Sequence, residues 1–258
     1  MSRSKPVLCS SLGRKLIMSM TGIFLCMFLV VHLVGNLQLF KDDAGYAFNQ
    51  YAYFMTHFAP IKVVSYLLYA SIIVHAVYAI VLTRKNRAAR PIGYAVSAGR
   101  ANSRWNARNM GVLGTILLVF LATHMHNFWW KYHNDQVPYV EYQTDLETGT
   151  RSITELSGDE FGDYHVSVED NVEVIRARDL YKQVGHAFQN VWLVLFYVIA
   201  MAALAFHLVH GFQSAFRTLG FSHKKYLPLI QVIGLWGFGV IVPILFALMP
   251  LYIYFESL

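Results

Sequence analysis

Charge is scarce in this chain, and cysteine is almost absent. Of 258 residues, 14% are charged, 56% are hydrophobic and two are cysteine. An ordinary soluble domain carries roughly 25% charged residues, so this composition excludes a conventional soluble globule. Cys9 and Cys26 form no Cys-x-x-Cys or other pairing pattern, which removes a thiolate centre from consideration. No glycine-rich phosphate fingerprint is present, so nucleotide and flavin chemistry do not reside on this chain. No ten-residue alternating strand pattern recurs, which excludes a membrane β-barrel. Acid is scarce as well outside one stretch: residues 131–182 hold twelve of the fifteen Asp and Glu.

What the chain has is long apolar runs. Five of them, with spans expected near 16–40, 61–83, 109–130, 187–216 and 226–252, reach the roughly 20 residues that a helix needs to cross a bilayer. A lipid environment satisfies backbone groups only within helices or closed barrels, so the expected fold is an all-α integral membrane bundle of five helices. The first run is too long for a signal-peptide core and lacks a small-residue cleavage site, so it is read as a mature helix. The net charge of +6 does not indicate a nucleic-acid partner, because its distribution is that of a membrane protein. Arg3, Lys5, Arg14 and Lys15 precede the first span; Arg84, Lys85, Arg87, Arg90, Arg100, Arg104 and Arg108 separate spans two and three; Arg217, Lys224 and Lys225 separate spans four and five. These acid-free segments all fall on one side of a five-span arrangement, and the positive-inside rule makes that side, with the N-terminus, cytoplasmic.

The single soluble insertion is 131–182. Its stretch "YHVSVEDNVEVIRA" alternates in strand fashion, so a small hairpin is expected there. The fourth apolar run is overlong, and "DLYKQVGHAFQNVW" is expected to start as an interfacial helix ahead of the span. The connection 41–60 is rich in Tyr and Phe, as suits headgroup depth. The basic loop 84–108, which contains Pro91, either only determines topology or also meets anionic lipid or the acidic face of a partner.

Histidine is the anomaly. Of eleven histidines, His57, His133, His165, His186 and His223 sit in loops or near span ends and read as ordinary polar residues. The other six, His32, His75, His124, His126, His207 and His210, lie within spans, where ionisable groups are costly. His75 lies nine residues before Arg84 and His207 ten before Arg217, which puts both roughly 14–15 Å from the inner boundary. His32 is seventeen residues after Lys15 and His124 sixteen after Arg108, roughly 24–26 Å in. Two level pairs at two depths are what two stacked, six-coordinate b-type haems require: one imidazole nitrogen on each face of the iron, the other nitrogen bonded to its own surroundings. The inner haem falls to His75 and His207 and the outer to His32 and His124. Zinc fits less well, because it favours tetrahedral sites and no Cys or carboxylate is on offer. Gly22 and Gly114 each precede an outer-layer histidine by ten residues, at the depth of the inner pair. They either admit the edge of the inner macrocycle or simply allow close helix packing. His126 points to nearly the opposite face from His124. His210 is on nearly the same side as His207, and spacing alone does not say which of the two is the ligand.

At these residues the chain resembles the cytochrome b membrane-anchor subunit of succinate:quinone oxidoreductases and quinol:fumarate reductases, of the single-subunit, five-helix, di-haem type. The stretches that carry the resemblance are "GIFLCMFLVVHLVGN", "YAFNQYAYFM", "VHAVYA", "GTILLVFLATH" and "AFHLVHGFQSAF", in family order through four spans. Each is weakly specific alone, and together they are strong. The resemblance implies axial ligation by His32, His75, His124 and His207, because "FHLVHG" aligns its first histidine with the ligand. It implies two haem b groups, a quinone (menaquinone for this type), and a flavoprotein and an iron–sulfur partner on the cytoplasmic face of a bacterial inner membrane. It allows a dimer of complexes. Some relatives use a glutamate near the outer haem at the quinol site; residues 37–60 here offer only Asp42 and Asp43, so no quinone residue is transferred. The 131–182 insertion is longer than the resemblance leads one to expect. Two alternatives stand beside this reading: another di-haem transmembrane cytochrome b, and a histidine-lined proton or metal transporter.

Overall fold

A computed structural model of the chain describes residues 10–89 and 104–258. Arg3, Lys5, Cys9, Arg90, Pro91 and Arg100 lie outside the described residues. The chain is mostly helical. Helices α1 (Ser11–Asn36), α2 (Tyr46–His57), α3 (Ala59–Ala88), α4 (Trp105–Arg108) and α5 (Met110–His124) come first. Strands β1 (Tyr139–Asp145) and β2 (Arg151–Leu156), the turn of helix α6 (Gly158–Phe161), and strands β3 (His165–Glu169) and β4 (Val172–Arg178) follow. Helices α7 (Leu180–Phe188), α8 (Val191–Thr218), α9 (Leu227–Val232) and α10 (Val242–Glu256) complete the order. A short 3₁₀ turn extends α1, a π-helical turn follows α5, and a longer one joins α9 to α10. Five continuous helical stretches are long and apolar enough to cross a membrane: Ser11–Phe40, Ala59–Ala88, Met110–His133, Val191–Thr218 and Leu227–Glu256.

The all-α expectation holds for these five and is amended outside them by a four-stranded antiparallel sheet of order β2-β1-β4-β3. The expected hairpin is present as β3–β4, in which Val166 faces Ile175 and Val168 faces Glu173. Asp170 and Asn171, both at positive φ, make its two-residue turn, the left-handed geometry that tight hairpins favour. The overlong fourth run also divides. Asp179 caps α7 by accepting from the Lys182 backbone N–H at 2.9 Å, and Asn190 accepts from the Trp192 N–H at 3.0 Å ahead of α8. These side chains satisfy helix-end donors and so set two helix starts where the apolar pattern suggested one.

The chain divides into two compact units. One comprises the described residues up to His32 with Val63–Phe120 and Tyr197–Ala247; the other comprises Leu33–Lys62, Leu121–Phe196 and Leu248–Leu258. The core of the first is Cys26, Leu208, Phe212 and Ile230, with Leu29, Leu204, Phe216 and Phe238 packed against it. Its π-helical stretch Ile233–Ile241 turns Gly234 toward Phe212 and Gly239 toward Val209, both on α8. With i→i+5 bonding, residues five apart return to nearly the same face, whereas about 3.6 residues per turn would set them far apart.

The second unit folds the sheet against α2. Val140, Tyr142, Ile175 and Ala177 form its core, with Tyr46 and Tyr164 packed on it. At its centre the buried Asn49 donates to the Tyr142 hydroxyl at 2.9 Å and to Asp179 at 2.9 Å, and accepts from the Tyr181 N–H at 3.0 Å. Burial pushes the Asp179 carboxyl above its usual range, opposed by its bonds from Lys182 and Asn49. Glu141 goes the other way: hydrogen bonds from Gln143 and Arg176 hold its carboxyl below the usual range. Gly45 caps α2 at φ +81°, and a side chain there would clash with the Tyr181 ring. We expect Gly45→Ala to destabilise this unit by about 2–4 kcal/mol, from left-handed strain plus overpacking. Faster proteolysis within residues 131–182 would report it.

Candidate functional site

In the first unit, two histidines from different helices face each other. His75 lies midway along α3 and His207 midway along α8, with ring centroids 6.4 Å apart and planes at 60°. His75 and His207 are thus the two side chains of this unit that would hold a metal ion or haem iron between them.

The Thr21 hydroxyl on α1 lies 3.1 Å from His75 Nδ1, and 2.9 and 3.1 Å from the carbonyls of Ile17 and Met18. A hydrogen bond at Nδ1 would leave Nε2 as the ring nitrogen to hold a metal. His207 Nδ1 is buried without a hydrogen-bond partner among the described residues. Such an orphan costs free energy unless something supplies a partner. Both glycines singled out in the sequence border this pair. A Cβ on Gly22 would lie 3.4 Å from His75 Cε1, and one on Gly114 4.0 Å from His207 Cε1. Each helix is thus bare of side chain where it passes an imidazole.

His32, also in the first unit, is half-buried, stacked on Phe28 at 5.2 Å and tilted toward Phe246 at 5.7 Å. His124 belongs to the second unit, is half-buried, and has Phe128 edge-on at 5.3 Å. The helix switches to π geometry immediately after it, over Met125–Trp130, a distortion frequent at functional sites. His126 is exposed. His57, His133, His165, His186 and His223 are also exposed. His210 lies one turn beyond His207 and lines a separate cavity with Arg104 and Arg217. Spacing left His207 and His210 equivalent; packing makes His207 the one that faces His75.

Thr21, Phe28, Phe128 and the cavity were not anticipated. Thr21 adjoins Gly22, and the two phenylalanines stand four residues from their histidines, so local spacing was the available signal. Among the described residues, no three His, Cys, Asp or Glu side chains converge on a common point. Comparison with family models, curated proteins and solved structures finds no match.

Proposed function

We propose that this chain is a di-haem transmembrane cytochrome b, with His75 and His207 holding an inner haem and His32 and His124 an outer one. More particularly, we read it as the membrane-anchor and electron-transfer subunit of a succinate:quinone oxidoreductase, with menaquinone as the quinone. The facing imidazoles of His75 and His207, with ring centroids 6.4 Å apart, carry this reading. A haem held by two histidines would supply single-electron transfer. Thr21 bonds His75 Nδ1, and Gly22 and Gly114 keep the flanking helices clear of the two rings. A structural zinc site is disfavoured, because it would need about four converging ligands. The motif order and the level histidine pairs support the outer assignment to His32 and His124.

On this reading the basic segments face the cytoplasm. There a flavoprotein and an iron–sulfur protein dock and carry out the dicarboxylate chemistry, for which this chain has no site. Haems held by these four histidines would carry single electrons between the iron–sulfur partner and quinone, in either direction. The setting is a bacterial cytoplasmic membrane.

The test is to isolate the chain with its natural partners and record a reduced-minus-oxidised spectrum with a haem-to-protein ratio. A b-type spectrum with two haems per chain is expected, together with co-purifying flavin and iron–sulfur subunits. A colourless protein would overturn the cytochrome reading in favour of a histidine-lined transporter. Two haems without those subunits would leave a different di-haem cytochrome b.

A further inference from the structure

One feature of the first unit lies outside the haem reading. A cavity of about 170 Å³ opens beside α8, lined by His210, Gln213, Ser214 and Arg217 from that helix and by Arg104 and Asn106 ahead of α5. Its lining contains two guanidiniums and no carboxylate. The ion pairs among the described residues join Arg176 to Glu141, Arg178 to Asp135 and Lys182 to Glu155, so neither Arg104 nor Arg217 is neutralised by a side chain. Two unpaired cations that converge on one cavity repel each other unless an anion lies between them. The amides of Asn106 and Gln213, the Ser214 hydroxyl and the His210 ring supply further donors, a set suited to the oxygens of a phosphate.

The neighbourhood indicates where that phosphate comes from. Arg217 stands one residue from the end of α8, at a span terminus. Beside the cavity Trp105 is exposed and meets the exposed Phe206 edge-on, with centroids 5.4 Å apart. A tryptophan at a span end marks headgroup depth, and Phe206 continues the apolar surface from there into the acyl region. A polar, cationic cavity bordered by an apolar flank matches an amphiphile with an anionic head.

We infer that this cavity binds the phosphate of an anionic phospholipid from the cytoplasmic leaflet, with its acyl chains lying along Phe206. Basic pockets at the cytoplasmic ends of transmembrane helices are suited to such headgroups. The inference rests on the membrane orientation proposed above and is independent of the haem assignment.

The experiment uses the full chain, purified with its partners, delipidated and returned to nanodiscs. Native mass spectrometry then counts bound lipid against phosphatidylglycerol or phosphatidylcholine, with inorganic phosphate as competitor. The wild-type chain is expected to retain one phosphatidylglycerol that phosphatidylcholine does not replace and millimolar phosphate does not displace. Each arginine contributes about fivefold, so Arg104→Gln with Arg217→Gln should weaken retention roughly 30-fold, while Arg217→Lys should bind close to wild type. Unchanged helical circular dichroism in both variants shows that they fold. Equal retention by the double variant, or displacement by phosphate alone, would overturn the inference. So would a double variant that keeps its lipid but shifts the midpoint potential of one haem, since the cavity would then serve a haem carboxylate. Cysteine labelling of the 84–108 loop only from outside the cell would overturn the leaflet assignment. A chain that holds phosphatidylglycerol as expected but carries no haem would leave this inference standing and remove the proposed function instead.

Discussion

If the chain holds two haems as proposed, replacing His75 or His207 with alanine is expected to remove one of them and leave the other, halving the b-type absorbance. The reason is geometric. The two rings lie 6.4 Å apart, so loss of either one leaves the other without a counterpart across the gap. Redox titration of either variant should show one component where the wild type shows two. His32→Ala and His124→Ala should remove the other component. Added imidazole should restore part of the lost absorbance in His75→Ala, because truncation leaves a ring-sized space beside Gly22. Loss of the same component in all four variants would show that pairing by depth is wrong.

The second large effect is expected at Tyr142, which has no exposed surface and sits at the centre of the sheet unit. Tyr142→Ala removes a buried aromatic from contact with Tyr46, whose ring stands edge-on at 5.2 Å, and should cost about 3–5 kcal/mol. Tyr142→Phe keeps the ring but removes the hydroxyl that accepts from Asn49 and donates to the Ala44 carbonyl at 3.2 Å. Leaving those groups unpaired should cost about 1–3 kcal/mol. Protease sensitivity within residues 131–182 should therefore rank Tyr142→Ala above Tyr142→Phe, and both above wild type. If Tyr142→Phe proved as damaging as Tyr142→Ala, hydrogen bonding rather than packing would dominate this core.

Features carried by local pattern were legible in the sequence. Alternation over 164–177 foretold the β3–β4 hairpin, because in β4 the buried Ile175 and Ala177 alternate with the less buried Arg176 and Arg178, although the edge strand β3 is largely exposed along its length. The partner hairpin was not legible. In β1, Val140, Glu141 and Tyr142 are all buried in succession, since Glu141 is covered where Arg176 and Gln143 bond it. In sequence only Val140 and Tyr142 alternate with polar neighbours, and β2 has no buried residue, so the pattern was too short to mark two strands. A helix ahead of the fourth span was legible in the overlong run, but the break that ends it was not: it depends on Asn190 bonding backbone N–H groups at the start of α8, while the apolar composition runs on with little change.

By itself the sequence determined five apolar helices of spanning length, acid-free basic segments between alternate runs and the spacing of each histidine from them, because hydropathy, charge and residue order are properties of the chain read in order. Only the tertiary structure decided that His207 rather than His210 faces His75, that the Thr21 hydroxyl meets His75 Nδ1, and that Arg104 and Arg217 share a cavity. Those relations depend on how one helix is rotated against another, and that rotation is set by packing between residues far apart in the chain.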